Sequence, residues 1–140
     1  MSEYNLPIAE SIIRIFTGIL FLFQGYDKLF RIGMPGVVNS FRNDAERNRI
    51  SPGLVHFVAY FTSISEFICG MLLIVGLLTN YALYLLGLDL ILVCMAFSFI
   101  QPMWDMKHVF PRLVLVILLL VIPSENRLLS LDHLLNLKKL

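Results

Sequence analysis

Long apolar segments separated by short polar ones dominate the pattern of this chain. A helix needs about 20 apolar residues to cross a hydrocarbon layer ~30 Å thick. Four segments meet or approach that length: residues 8–30, 54–77, 81–100 and 108–122. The fourth is the shortest, and Pro111 falls in its first turn, where a missing N–H is tolerated. The pattern predicts an all-α integral membrane protein, an antiparallel bundle of four transmembrane helices that forms a single domain over residues 1–140.

The connections between these segments predict two further helices and one tight turn. Thr79 and Asn80 alone separate the second and third segments, which indicates a helical hairpin. The tail after Pro123 is rich in leucine but too polar to span, and is typical of an interfacial C-terminal helix. The first loop, residues 31–53, predicts a short amphipathic helix on the membrane surface. Its apolar residues fall at helical spacing: Val37, Val38, Phe41 and Ala45.

Composition and charge narrow the classes of function. The 140 residues are 58% hydrophobic and 15% charged, which is too little charge for a soluble domain. A net charge of +1 does not imply nucleic acid as a partner, and no run of residues has the spacing of metal ligands. Lysine and arginine are denser on the side of the first and third loops, so we expect that side in the cytoplasm and both termini outside it.

Ionisable side chains within the apolar segments are the most informative positions. Four of them facing lipid alone would together cost on the order of 10 kcal/mol, so we expect them to point inward and meet one another. With one amide, they form the predicted intramembrane polar cluster: Arg14, Gln24, Glu66, Asp89 and Arg112. In this interpretation two carboxylates near the bilayer midplane are bracketed by two arginines. Asp27 and Lys28, at the base of the first segment, are expected to close the end of the bundle.

Two interpretations of this cluster stay open at this point. Inward ion pairs can simply fix the register and the partners of the helices. Charged groups at membrane depth also mark sites that bind polar headgroups or transfer protons. The sequence favours neither interpretation strongly.

The spacing of charges and glycines in the first two segments resembles that of the DoxX family of small bacterial membrane proteins. The first segment has Arg14-x3-Gly18-x6-Gly25-x2-Lys28, and the second has Glu66-x3-Gly70-x5-Gly76. The resemblance covers the first three segments. It implies four helices in a bacterial inner membrane, with the charged positions of the family on Arg14, Lys28 and Glu66. Its small positions fall on Gly18, Gly25, Gly70 and Gly76.

The resemblance also implies a class of function, because some members are associated with redox work. One is the small subunit of a thiosulfate:quinone oxidoreductase, whereas most members have no assigned activity. The leading hypothesis is an accessory subunit of a quinone-linked membrane redox system. In it, Arg14 orients an oxygen-bearing headgroup, and Glu66 exchanges protons. The alternative is a non-enzymatic structural or assembly subunit of a larger membrane complex, and a small transporter is the third possibility.

Two other redox chemistries are disfavoured. Cys69 and Cys94 are expected at depths that differ by roughly 10 Å, whereas a disulfide needs Cα atoms within about 7 Å. We therefore interpret both cysteines as small packing residues. His56 and His108 start different helices on the same side and could ligate one haem, but histidine is common at the interface, so haem is not expected.

Overall fold

The computed structural model of the protein describes residues 4–100, 107 and 109–135. The regular elements of this part of the chain are helices. They are α1 (Asn5–Tyr26), which continues as a π-helical turn (Asp27–Arg31), α2 (Met34–Arg47), α3 (Pro52–Val75), α4 (Thr79–Ile100), α5 (Val109–Val121), a 3₁₀ turn (Ser124–Asn126) and α6 (Leu131–Leu134).

Three of these helices are long and apolar enough to cross a membrane, over Asn5–Arg31, Pro52–Val75 and Thr79–Ala96. They correspond to the first three predicted spans, with ends that differ by a few residues. The fourth apolar helix, α5, is shorter at 13 residues and contains Pro111 in its first turn, as predicted. His108, the predicted first residue of that span, lies outside the described residues.

The helices pack in a ring, because α1 contacts α3, α3 contacts α4, α4 contacts α5, and α5 contacts α1. Apolar side chains from these four helices fill the centre. The fully buried ones are Phe21, Leu73, Leu83, Leu86 and Leu119. Large apolar side chains that remain exposed point outward from every helix of the ring, as expected of surfaces that face hydrocarbon.

Glycines bring α1 and α3 into the closest contact of the ring. A Cβ atom on Gly25 would lie 2.5 Å from the backbone nitrogen of Phe67, and one on Gly70 would clash with the backbone of Leu22. A Cβ atom on Gly18 would lie 2.9 Å from both the carbonyl oxygen of Gly70 and the backbone nitrogen of Ile74. Residue numbers therefore increase along α1 as the numbers of the contacting residues on α3 decrease, so the two helices are antiparallel. Small residues allow such backbone contact between membrane helices.

The predicted hairpin between α3 and α4 exists, but the prediction that Thr79 and Asn80 form its turn is wrong. Gly76 ends α3 in the left-handed conformation at φ 72°, and Thr79 and Asn80 already belong to the first turn of α4. The Asp132 carboxylate accepts hydrogen bonds from the backbone N–H groups of Leu78, at 2.7 Å, and Thr79, at 2.8 Å. A side chain remote in sequence thus caps α4, which extends the helix toward the turn.

Both predicted accessory helices are present in the described residues. The first loop forms α2, and three of its four predicted apolar residues, Val37, Val38 and Ala45, are buried, the first two against α3. The tail contains α6, a helix of four residues that contacts the α3–α4 turn through Asp132. The remainder of the predicted C-terminal helix, including Lys138 and Lys139, lies outside the described residues.

The close α1–α3 contact generates a prediction about stability. Gly25→Ala should destabilise the protein by about 1–3 kcal/mol, because its methyl group would overlap the Phe67 backbone and push the helices apart. The matched control is Gly87→Ala in α4, where an added Cβ meets nothing within 4 Å. Unfolding in mixed detergent micelles measures both. Equal stability of the two variants would contradict the packing described here.

Candidate functional site

Glu66 of α3 anchors a polar site near the loop end of α1. Its side chain is 1% exposed. One carboxylate oxygen accepts a hydrogen bond from Lys28 Nζ at 2.7 Å, and the other accepts one from Gln24 Nε2 at 2.8 Å. Gln24 and Lys28 are four residues apart, so they lie on one face across the junction of α1 with the π-helical turn. Two donors on one carboxylate make a strong, charge-assisted arrangement.

An apolar cavity of about 280 Å³ lies beside this ion pair. Lys28 and Gln24 form its polar end, and α2, α3 and α4 form the other walls. The remaining lining is mostly aliphatic, from Val37, Phe41, Ile50, Leu54, Val55, Val58, Ala59, Thr62, Leu92, Val93, Met95 and Ala96. Such a cavity, apolar with a few polar groups at one end, is typical of a ligand site.

Asp89 on α4 and Arg112 on α5 lie within electrostatic range of the same ion pair. Asp89 is fully buried, and its Oδ1 atom lies 2.9 Å from Ser65 Oγ. The charges of Glu66 and Lys28 both act on Asp89. Arg112 is half-buried in the second turn of the α5 segment, and its charge acts on Glu66. The structure therefore brings Gln24, Glu66, Asp89 and Arg112 into one region.

The predicted place of Arg14 beside these carboxylates is wrong. Arg14 is 1% exposed and forms a separate cluster near the end of α3. Its Nε atom donates to Glu10 at 3.1 Å, while Nη1 and Nη2 each donate at 2.7 Å to the carbonyls of Leu73 and Leu129. Leu73 follows Glu66 by seven residues, or about 10 Å along the helix. Because α1 and α3 are antiparallel, Arg14 meets the end of α3 rather than its middle.

Arg127 completes this second cluster from the segment after α5. Its Nε atom lies 3.7 Å from Glu10, and its guanidinium donates to the Asn80 side chain at 2.7 Å and to the Leu119 carbonyl at 3.2 Å. Burial lowers the pKa of Arg127 from its ordinary value, while Glu10 and Asp132 act to raise it. The cluster ties α1, α3 and α5 to the C-terminal segment.

Sequence reasoning missed several partners of the predicted residues. Lys28 was expected to close the bundle end, yet it reaches back to Glu66, whereas Asp27 pairs with Arg31 near the surface at 3.2 Å. Glu10, Ser65 and Arg127 were not proposed as site residues. Helical spacing places Glu10 four residues before Arg14 on one face, which was a usable signal. The role of Arg127 could not be predicted from the sequence, because it depends on where the tail lies in the folded chain.

The two cysteines considered for thiol chemistry form no disulfide within the described residues. Cys69 is buried, Cys94 is half-buried, and both are free. His56 is exposed and lines a separate groove between α2 and α3, and His108 lies outside the described residues. Among residues 4–100, 107 and 109–135, no group of three or more His, Cys, Asp or Glu side chains could hold a metal ion.

The buried Lys28–Glu66 ion pair leads to a second prediction about stability. Lys28→Met should destabilise the protein by about 3–5 kcal/mol, because it leaves the Glu66 carboxylate buried without its cation. Adding Glu66→Gln to this variant should restore most of the loss, since no unpaired charge then remains.

The exposed Arg42–Glu46 pair gives the control for that experiment. Arg42→Met removes one partner of a solvent-exposed ion pair, so it should change stability by about 1 kcal/mol or less. Unfolding in mixed micelles compares all three variants. A Lys28→Met protein as stable as the Arg42→Met protein would show that Glu66 does not depend on Lys28.

Comparison with known proteins agrees with the charge and glycine pattern. A model of the DoxX family matches residues 9–99, which include most of α1, all of α2 and α3, and nearly all of α4. No curated protein matches the chain, and no solved structure does so either. The match covers well over half of the sequence and contains Lys28, Glu66 and the glycines between α1 and α3. The chain belongs to the DoxX family of membrane proteins.

Proposed function

We propose that this DoxX-family protein is an accessory subunit of a quinone-linked membrane redox system, and that its cavity holds the quinone headgroup. The observation that carries the proposal is the position of the Lys28–Glu66 ion pair at one end of an apolar cavity of about 280 Å³. The walls suit a hydrophobic ring, and the polar end suits the ring oxygens. The cavity is close in size to the small end of the range for ligand sites, about 300 Å³.

The polar groups fit both redox states of such a headgroup. Lys28 has three N–H donors and gives one to Glu66, so others remain for a quinone carbonyl oxygen. Gln24 lines the cavity, and its buried Oε1 atom has no hydrogen-bond partner among the described residues, so it accepts from a quinol hydroxyl when the amide turns toward the cavity. The cavity end therefore provides both a donor and an acceptor.

The side chains also suit the proton transfer that quinone chemistry requires. Reduction of a quinone to a quinol consumes two electrons and two protons, and in this proposal the electrons come from a redox partner subunit. Lys28 lines the cavity and donates a proton from its ammonium group to a ring oxygen. The Glu66 carboxylate holds that ammonium group in position and exchanges protons with it. Arg14 takes no part, since it is bound in the second cluster.

The membrane arrangement that accompanies this function has four antiparallel spans, α1, α3, α4 and α5, with α2 lying on the membrane surface. With 13 residues, α5 is about 20 Å long, so we infer local bilayer thinning or polar flanking groups at its ends. The membrane is the bacterial inner membrane.

Lys28 and Arg127 lie inside the fold. The exposed arginines of the π-helical turn, α2 and its loop still outnumber the basic residues of the tail, which favours both termini outside the cytoplasm.

The second candidate function is that of a structural or assembly subunit without catalytic chemistry. The second cluster favours it, because Arg14 finds its hydrogen-bond partners within the chain and fixes the C-terminal segment to α3. The cavity can be filled by a larger side chain. If the partner complex then keeps both its composition and its full electron transfer, the result would support this candidate over the first.

Filling the cavity tests the proposed function. Ala96→Phe introduces a ring into the cavity and should weaken binding of a short-chain benzoquinone by at least about tenfold, or ~1.4 kcal/mol. Leu88→Phe is the control, because Leu88 lies on the outer surface of α4 with 49% of its area exposed. Titration of protein in lipid nanodiscs, with empty nanodiscs subtracted, measures the affinity. Absence of saturable binding by the unmodified protein, or equal affinity of the two variants, would contradict the proposal.

A further inference from the structure

Asp89 differs from the other buried carboxylic acids of the described structure in its partners. Glu10 lies 3.1 Å from Arg14, and Glu66 lies 2.7 Å from Lys28. Asp89 is 0% exposed, yet within residues 4–100, 107 and 109–135 it forms no ion pair. The charged groups that face it are Glu66 from α3 and Lys28 from the end of α1, and Lys28 is already hydrogen-bonded to Glu66.

The hydrogen bonds around Asp89 leave room for a proton on its carboxyl group. Ser65 Oγ lies 2.7 Å from the carbonyl oxygen of Phe61 and 2.9 Å from Asp89 Oδ1. A serine hydroxyl has one proton to donate. If Ser65 donates to the nearer Phe61 carbonyl, its contact with Asp89 is a hydrogen bond only when Asp89 is the donor. A carboxylate without a cation at this depth would also be costly, because Glu66 contributes a negative charge beside it.

Asp89 lies close to the cavity but not in its wall. Leu92 and Val93, one turn later on α4, line the cavity, whereas Asp89 does not. Lys28 does line it. The second carboxyl oxygen of Asp89, Oδ2, is buried and has no hydrogen-bond partner among the described residues, so it is available to a neighbouring group.

We propose that Asp89 is a neutral carboxylic acid that returns a proton to Lys28, through Glu66, after Lys28 has protonated a ring oxygen in the cavity. This inference rests on the proposed function. Lys28 first transfers a proton from its ammonium group to one ring oxygen and becomes a neutral amine. The O–H bond of Asp89 then breaks. Its proton passes to the Glu66 carboxylate when the unpartnered Oδ2 of Asp89 comes within hydrogen-bond reach, and from Glu66 to the Lys28 amine, which becomes an ammonium group again. The second ring oxygen takes its proton from water, two electrons from the redox partner subunit complete the quinol, and a proton from water restores Asp89.

Infrared spectroscopy tests the protonation state of Asp89 without any quinone. The unmodified protein should show the carbonyl band of a protonated carboxylic acid, and Asp89→Asn should remove it. Glu10→Gln is the matched control, because it alters a buried acid that pairs with Arg14 in the other cluster, and it should retain the band. A spectrum without the band, or a band that survives Asp89→Asn, would overturn the inference.

The rate of quinone reduction tests the role of that proton. In nanodiscs on an electrode, Asp89→Asn should bind a short-chain benzoquinone with unchanged affinity but reduce it at least roughly tenfold more slowly. Asp89→Glu should recover part of the rate. Normal binding with an unchanged rate would overturn only the role of Asp89. Failure of the unmodified protein to bind the quinone would instead contradict the proposed function, so the two failures are distinguishable.

A further variant covers the case in which Asp89→Asn does not fold. Ser65→Ala keeps the acid and removes its hydrogen-bond partner. It should shift the frequency of the carboxylic acid band, because the hydrogen bond to Ser65 is lost. An unchanged frequency would show that the band does not arise from Asp89 and would overturn the inference.

Discussion

The fold depends on the need of each charge in hydrocarbon for a partner within the protein. The chain meets this need at two places along the α1–α3 pair. Lys28 pairs with Glu66 at the loop end of α1, and Arg14 pairs with Glu10 and with backbone carbonyls near the end of α3. The two clusters differ in whether a ligand can reach them. The Arg14 cluster is closed by the C-terminal segment, whereas the Lys28–Glu66 pair borders a cavity.

Close packing of α1 on α3 makes both clusters possible. The absence of side chains at Gly25 and Gly70 brings the two backbones into contact, so that Lys28 and Arg14 each reach across to α3. Gly76 contributes in a second way, because it ends α3 and occupies a site where Arg14 and Ser130 leave no room for a Cβ. The last carbonyls of a helix lack partners within it, and Arg14 donates to those of Leu73 and Ile74. Structure and proposed function thus share one helix interface.

The sequence predicted the elements and the inward faces better than it predicted the contacts. Apolar length alone placed the long helices, and helical periodicity placed α2, because both follow from local spacing. The inward direction predicted for Arg14 was also correct, since Arg14 is buried together with Glu10 and Gly18. The missing quantity was the relative depth of facing residues. An inward face does not say which residue of an antiparallel neighbour lies opposite, so Arg14 was assigned to the cluster of Glu66, and Lys28 to the end of the bundle. The cap by Asp132 and the ion pair of Arg127 depend on a tail with no repeating pattern.

The central claim is that the Lys28–Glu66 end of the cavity binds a quinone headgroup in the membrane. Its most direct test is the amount of quinone that copurifies with the protein in its native lipids, compared with the quinone-to-lipid ratio of the same membrane. We expect enrichment toward one quinone for each chain. We also expect this enrichment to be lost when Lys28→Met and Glu66→Gln are combined, a variant expected to fold without the buried charges. A quinone content equal to that of the surrounding lipid, in both the unmodified protein and the double variant, would contradict the account.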